Sequence, residues 1–302
     1  VKRSMPAVPR PASPGEVVKL VEIANRYKIP IHPVSLGRNW GLGSCVPVRD
    51  DTVVVELGRM NAIREVNVKH HYAVVEPGVT QRQLYEYIRD NKLPLVMNVT
   101  GAAGATSLIG NAMERGVGYF ASRAEALTGL EVVLGNGTLL RTGFSHFENA
   151  QAKYIYKFGI GPFLDGLFSQ ANFGVVTSAA VDLMPKSDSH MAVIAKISDP
   201  EKLGAFVDAI ADLRRRDVVQ TVMHIGNQNR TQIAMAPLVY RSLKSQGGVS
   251  EPDLKIEAGK LLAKEGFGPW SAVGGIMGTR GQLAVARREI RKALRGLAKT
   301  MF

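Results

Sequence analysis

The sequence predicts an α+β protein in two parts, and three observations carry that reading. Helical and extended periodicities alternate along the 302 residues. Asn136-Gly137, set between the apolar runs Leu130–Leu134 and Thr138–Arg141, is a strong hairpin signal. Near Pro185–Ser189 the pattern changes, and a second series of strands and helices follows on its own apolar positions. A chain of this length holds two ordinary domains, and the boundary falls at residue 186.

The elements follow in order. Residues 1–12 are proline-rich and read as extended. Ser13-Pro14-Gly15-Glu16 opens a helix: Ser13 caps, Pro14 suits the first helical position, and Glu16 completes a capping box. Val17, Leu20, Val21 and Ala24 form its inward stripe. Strands are predicted at 29–32, 52–56 and 73–75. Thr80-Gln81-Arg82-Gln83 is a second capping box, with Leu84, Tyr87 and Ile88 inward on the helix it starts. Residues 100–128, rich in Gly, Ala and Thr, show little periodicity and read as a loop whose order needs a cause, a bound ligand being one. Val175-Val176-Thr177 begins a strand that ends at Pro185.

In the second part, 191–197 reads as a strand. Asp199-Pro200 starts a helix with Leu203, Phe206, Val207, Ile210 and Leu213 on one face. Residues 218–225 and 232–234 read as strands, and 254–265 and 282–297 as helices. Alternation on a separate core marks an α+β unit.

Composition narrows the function classes. Hydrophobic residues make up 45% and charged residues 21%, as in soluble globular proteins. The apolar runs are too short for a membrane-spanning helix. The single cysteine, Cys45, excludes an intrachain disulfide. A reducing, cytoplasmic location is expected, or a periplasmic one if the N-terminus is processed. Cys45 itself reads as a buried small residue rather than a reactive thiol. Lys and Arg number 38 against 26 Asp and Glu, a net charge of +12. Such a surface attracts phosphates, anionic lipids or an acidic partner. Arg287-Arg288 and Arg291-Lys292 share a helix with the stripe Leu283, Ala286, Ile290, Leu294 and Leu297, so they read as its solvated face. Basic residues interleaved with aromatics are missing, and no nucleic-acid partner is expected. His70 and His71 read as a solvated pair. His32, His146, His190 and His224 lack metal-ligand spacing, and no metal is expected. The chain opens at Val1 without an initiator Met and stops at 299–302, which reads as the start of a strand. A fragment or processed chain is expected, with no signal peptide at its start.

The glycine-punctuated run Pro33-Val34-Ser35-Leu36-Gly37-Arg38-Asn39-Trp40-Gly41-Leu42-Gly43 follows the first strand. Glycine permits positive φ and close backbone approach, so the run either presents N–H groups to a diphosphate or is a tight surface turn. It does not lead into a helix, which excludes the dinucleotide fingerprint and the P-loop.

Four segments together carry a family resemblance: Ser35 to Asn39, Glu76 to Thr80, Gly110 to Tyr119, and Gly161 to Met184. In this order, between Ser13 and Pro185, they resemble the FAD domain of flavoproteins related to vanillyl-alcohol oxidase and p-cresol methylhydroxylase (PCMH). The fold implied is α+β: a PCMH-type two-subdomain FAD-binding domain over 1–186, then a partial α/β cap (substrate) domain over 187–302. The cofactor implied is FAD. The resemblance puts Ser35, Leu36, Gly37, Arg38 and Asn39 at its diphosphate, and Pro77 and Gly78 at a turn approaching it. Gly101, Gly104, Ser107, Gly110 and Asn111 would line the flavin, and Gly174, Val175 and Val176 would meet the adenine side by their backbone. Arg38 either adds charge there or pairs with Asp50 or Asp51. Arg115 either serves the cofactor or pairs with Glu114. The loop offers Asn39 and no His, so covalent attachment of FAD through a histidine there is not expected.

The implied activity is hydride transfer from an aromatic alcohol or alkylphenol to FAD N5. The implied partners are a small-molecule substrate, an electron acceptor such as oxygen or a cytochrome, and further copies of the chain. The departures concern chemistry. The Tyr that holds the phenolate in phenol-oxidising relatives falls at Leu42, which becomes an apolar pocket wall. Their catalytic Asp falls at Gly101 or Ala102, and neither can take a proton. Their Gly-Asp-His is replaced within 120–125, where Arg123 and Glu125 read as solvent-facing charges rather than stand-ins. No catalytic residue is identified. A hydroxy acid or other alcohol is the alternative substrate, and a non-catalytic FAD-binding module the alternative class.

Overall fold

The computed structural model describes residues 3–38, 45–248, 250–264 and 268–302. It divides into two compact units, Val1–Lys186 and Ser187–Phe302.

In the first unit, helix α1 (Pro14–Tyr27) begins where the Ser13 hydroxyl accepts the Glu16 N–H at 3.2 Å. The Glu16 carboxylate reaches back one residue further than a capping box requires, to Ala12 N–H at 2.8 Å. Strands β1 (Ile31–Val34) and β2 (Val53–Glu56) pair in parallel. Strands β3 (Ile63–Asn67) and β4 (Tyr72–Val75), helix α2 (Gln81–Asp90), strand β5 (Leu95–Met97) and helix α3 (Leu108–Met113) follow, then strands β6 (Leu127–Leu134), β7 (Leu139–Arg141) and β8 (Gly174–Pro185). The larger sheet runs β3-β4-β8-β6-β7, with β5 also on β8, and every pairing is antiparallel. Asn136-Gly137 forms the expected β6–β7 turn, with Gly137 at φ 86°.

β8 is buried almost throughout because it lies inside the sheet with helices over it. Leu84 and Ile88 of α2 and Leu108 and Ile109 of α3 pack with Leu130, Val132, Val176 and Ala179 in the main core. Val17 and Val21 of α1 pack with Val55, Leu57, Met60, Val133 and Val175 in a second cluster. Each such side chain contributes about 1.5–3 kcal/mol of apolar burial.

In the second unit the order is β9 (Ser189–Ile197), α4 (Leu203–Arg215), β10 (His224–Asn227), α5 (Gln228–Gln246), α6 (Glu251–Lys264), β11 (Trp270–Gly278), α7 (Arg280–Ala293) and β12 (Lys299–Met301). The sheet runs β10-β11-β9-β12. Phe206, Ile210 and Leu213 of α4 and Leu283 and Ile290 of α7 pack with Val193, Ala195, Ile197, Ala272 and Ile276.

Several expectations are corrected. Residues 232–234 lie within α5, which Asn227 caps through the Arg230 N–H. Of the strand expected at 218–225 only 224–225 forms, as the start of β10. Val219 and Gln220 instead give their carbonyls to Arg214. β11 was hidden by its glycines; a Cβ on Gly274 would lie 2.2 Å from Met223 Sδ. The 100–128 stretch contains α3, because Ser107 caps it. Tyr87 and Val207 face outward, exposed by 40% and 39%, and Gln81 takes the inward place on α2. Cys45 is exposed, its Sγ bonded to Gly37 O at 3.1 Å. Arg287 and Arg291 are not simply solvated: both stack on Phe302, at 5.2 and 5.1 Å from the ring centre. No helix among the described residues is long and apolar enough to cross a membrane.

Candidate functional site

The site begins where β1 runs out. After Val34 the chain turns through Gly37 at φ 61°. The N–H groups of Leu36, Gly37 and Arg38 find no acceptor among the described residues. Successive unspent amides around a left-handed residue form an anion-binding concavity.

Beside this loop the backbone is packed too closely for side chains. Gly78 N–H donates to Met60 O at 2.7 Å. A Cβ on Gly78 would lie 2.5 Å from Gly58 O and 2.7 Å from Met60 O. The Ser107 hydroxyl donates to Pro77 O at 2.6 Å and accepts the Gly110 N–H at 2.9 Å. A Cβ on Gly110 would lie 2.0 Å from Ser35 Oγ. Ser35, Pro77, Gly78, Ser107 and Gly110, from three separate segments, therefore meet. Asn111, next on α3, carries a buried Oδ1 with no hydrogen-bond partner. Unspent amides and a cradle without room for Cβ atoms fit a phosphate-bearing ligand that approaches the backbone.

The Gly101–Gly104 loop adjoins this cradle, and bonds within the protein itself supply a cause for its order. The N-terminus of α2 donates to it, from Gln81 N–H to Thr106 O and from Arg82 N–H to Gly104 O. The Gln81 carboxamide makes four further bonds. Its Nε2 donates to Thr100 O and Ala103 O, and its Oε1 accepts from Thr100 N–H and Arg123 Nη1. Ala103 is held at φ 82°, a left-handed conformation that costs a non-glycine residue about 1–3 kcal/mol. Nothing lies within 4 Å of a Cβ placed on Gly101, so open space remains there.

Arg123 was expected to face solvent and does not: it is 3% exposed. Burial pulls its pKa down to about 10. The run of small residues at 101–105 and 121–124, which leaves room for one long side chain, was the available signal. Glu125 is exposed, as expected.

Other predicted residues are placed differently. Arg38 is exposed and unpaired among the described residues, since Asp50 pairs with Arg3 at 3.5 Å. Arg115 forms no ion pair with Glu114. It ends α3 in a left-handed turn (φ 53°) with its side chain exposed. The side chains of Val175 and Val176 are core, and Gly174 is explained by packing, a Cβ there lying 2.6 Å from Val132 Cγ1. β4 ends opposite Ala179, so the β4-facing backbone edge of 174–178 carries no strand partner among those described. Asn39 and Leu42 lie outside the described residues.

Residues 5–143, which contain this loop and cradle, match the FAD binding domain family. The chain is 36% identical over 293 residues to 1'-carboxy-chondrochloren decarboxylase of Chondromyces crocatus, covering 96% of this chain and 53% of that protein. It is 33% identical over 286 residues to the 4-cresol dehydrogenase [hydroxylating] flavoprotein subunit of Pseudomonas putida, covering 94% and 54%. The crystal structure of p-cresol methylhydroxylase with substrate bound superposes with a TM-score of 0.86 at 30% identity, covering 99% and 60%. The chain carries an FAD binding domain and is similar to the PCMH-type flavoproteins. It spans about half the length of the curated relatives it matches, 53% and 54%.

Proposed function

We propose that this chain forms the flavin-binding part of an FAD-dependent oxidoreductase of the vanillyl-alcohol oxidase and p-cresol methylhydroxylase type, taking hydride from an aromatic alcohol or alkylphenol. The convergence of the Leu36–Arg38 amides with the Gly78 and Gly110 cradle carries the reading. When bound, FAD supplies the hydride acceptor. The chain's own residues bind and orient. Backbone N–H groups of Leu36, Gly37 and Arg38 hold the diphosphate without burying a compensating charge. Ser35, Pro77, Gly78, Ser107, Gly110 and Asn111 wall the cofactor where it runs against backbone. Gly101 and Gly104 offer a flat surface to its ring, and the free edge of Gly174–Val176 accepts its adenine end. Arg115 adds surface charge. Residues 1–186 form the FAD domain and 187–302 part of the cap. An electron acceptor such as a cytochrome, and further copies of the chain, complete the assembly.

A carboxylate-bearing substrate, such as a hydroxy acid, is the second reading. The buried Arg123 favours it, as does a relative named for a carboxy compound.

The test begins with a visible spectrum of the purified chain before and after acid precipitation, then turnover of phenols and hydroxy acids with a dye acceptor. Flavin bands with turnover of alkylphenols support the first reading. Flavin without turnover of either class supports a non-catalytic module, and a chain that takes up no FAD rejects both.

A further inference from the structure

Arg123 is a buried charged group that cofactor binding leaves unexplained. It stands at the head of the 3-10 turn Ala124–Ala126, with its backbone N–H on Gly116 O at 2.9 Å. A guanidinium presents several N–H donors in a planar fork. Among the described residues Arg123 spends only Nη1, on Gln81 Oε1 at 3.0 Å. No carboxylate among them pairs with it, and burial alone acts on its charge.

Gln81 cannot neutralise it. Its carboxamide is uncharged and committed to four bonds, three of them to Thr100 and Ala103. Burying an unpaired ion costs several kcal/mol, which an anion at hydrogen-bond distance offsets. The three bonds from Gln81 to Thr100 and Ala103 do not involve Arg123.

We infer that Arg123 receives an oxyanion on the inner side of the Gly101–Gly104 loop, and that the oxyanion is a carboxylate of the substrate. The inference rests on the flavoprotein reading and selects the substrate class for it. A planar carboxylate takes two parallel N–H bonds from the guanidinium fork. In a buried setting that pairing is far stronger than in water. Gly101, on the same loop, is exposed, with nothing within 4 Å of a Cβ placed on it. The amides suited to phosphate lie instead on the Leu36–Arg38 loop. The cofactor's own phosphate is the other source of an oxyanion, and the experiment separates the two.

The full chain is assayed without and with FAD by thermal unfolding and by flavin difference spectra. The probes are benzoate, neutral benzyl alcohol of the same size, and pyrophosphate; the variants are Arg123→Met and Arg123→Lys. Benzoate, and not benzyl alcohol, is expected to raise the midpoint of the wild type by ligand linkage and to shift its flavin band. Arg123→Met loses both effects while its FAD Kd stays within about threefold of wild type, and Arg123→Lys keeps part of them. If pyrophosphate protection is lost instead and FAD binds about tenfold more weakly, the site stands and its oxyanion is the cofactor's phosphate. Equal responses in wild type and variants, or no response of the wild type to either anion, overturn the inference. Should Arg123→Met fail to fold, Arg123→Lys and Arg123→Gln carry the same comparison. A wild type that binds no FAD yet shows an Arg123-dependent benzoate response rejects the flavoprotein reading and not this site.

Discussion

Gly110 on α3 faces Ser35 at the end of β1 so closely that a Cβ at 110 would lie 2.0 Å from the serine Oγ. The obstacle is mainly a hydroxyl that can rotate. Gly110→Ala is therefore expected to fold and to bind FAD about tenfold more weakly, because Ser35 is pushed from the cradle. Adding Ser35→Ala to Gly110→Ala should recover most of that loss. Fluorescence titration of FAD measures it, and a double variant no better than Gly110→Ala would show that Ser35 is not the obstacle.

Gly78 is a contrasting case, because its neighbours are backbone carbonyls of Gly58 and Met60. Neither can rotate away. Gly78→Ala should lose about 1–3 kcal/mol of stability, the usual range for overpacking. Gly101→Ala, with open space at its Cβ, should stay within about 0.5 kcal/mol of wild type. Urea unfolding of the two variants tests the pair.

Glu131 on β6 joins three strands. Its carboxylate meets Arg64 at 3.2 Å and Arg141 at 3.1 Å, and accepts the Thr177 hydroxyl at 3.1 Å. Burial lowers the Arg64 pKa, but Glu131 and Glu76 outweigh it and the net shift is upward. Both arginines keep some solvent contact, which screens the pairs. Glu131→Ala is expected to destabilise by about 2 kcal/mol, and Glu131→Gln by about half as much. Equal stability of all three proteins in urea would show that the network contributes nothing.

Asp165 sits buried with Oδ2 unpartnered. Burial raises its pKa, and Thr142, Lys157 and the backbone of Gly129 and Leu130 only partly oppose that. A raised folded pKa gives a contribution that is complete below the unfolded pKa and lost as pH rises through the folded one. Wild-type stability should therefore fall relative to Asp165→Asn as pH rises from about 4. Unfolding curves that stay parallel across this range would refute the assignment.

Local elements were legible in the sequence, and inward facing only in part. Ser13, Thr80 and Asn136-Gly137 act on bonds within a few residues, so their helix starts and hairpin turn were readable directly. The glycine loop after β1 and the Gly110 segment were also readable, through resemblance. Tyr87 and Gln81 show the limit. Both suit an amphipathic helix, but only the contacts of Gln81 with 100–103 and Arg123 decide which turns inward.

By itself the sequence determined the α+β class, because caps, turns and apolar periods are short-range, and the FAD cofactor followed from its resemblance to known flavoproteins. Tertiary structure alone decided that Ser35, Gly78 and Gly110 meet, and that Arg123 is buried against Gln81, 42 residues away. The physical reason is that burial, and the need of a buried charge for an anion, depend on neighbours that the fold brings together across long stretches of chain.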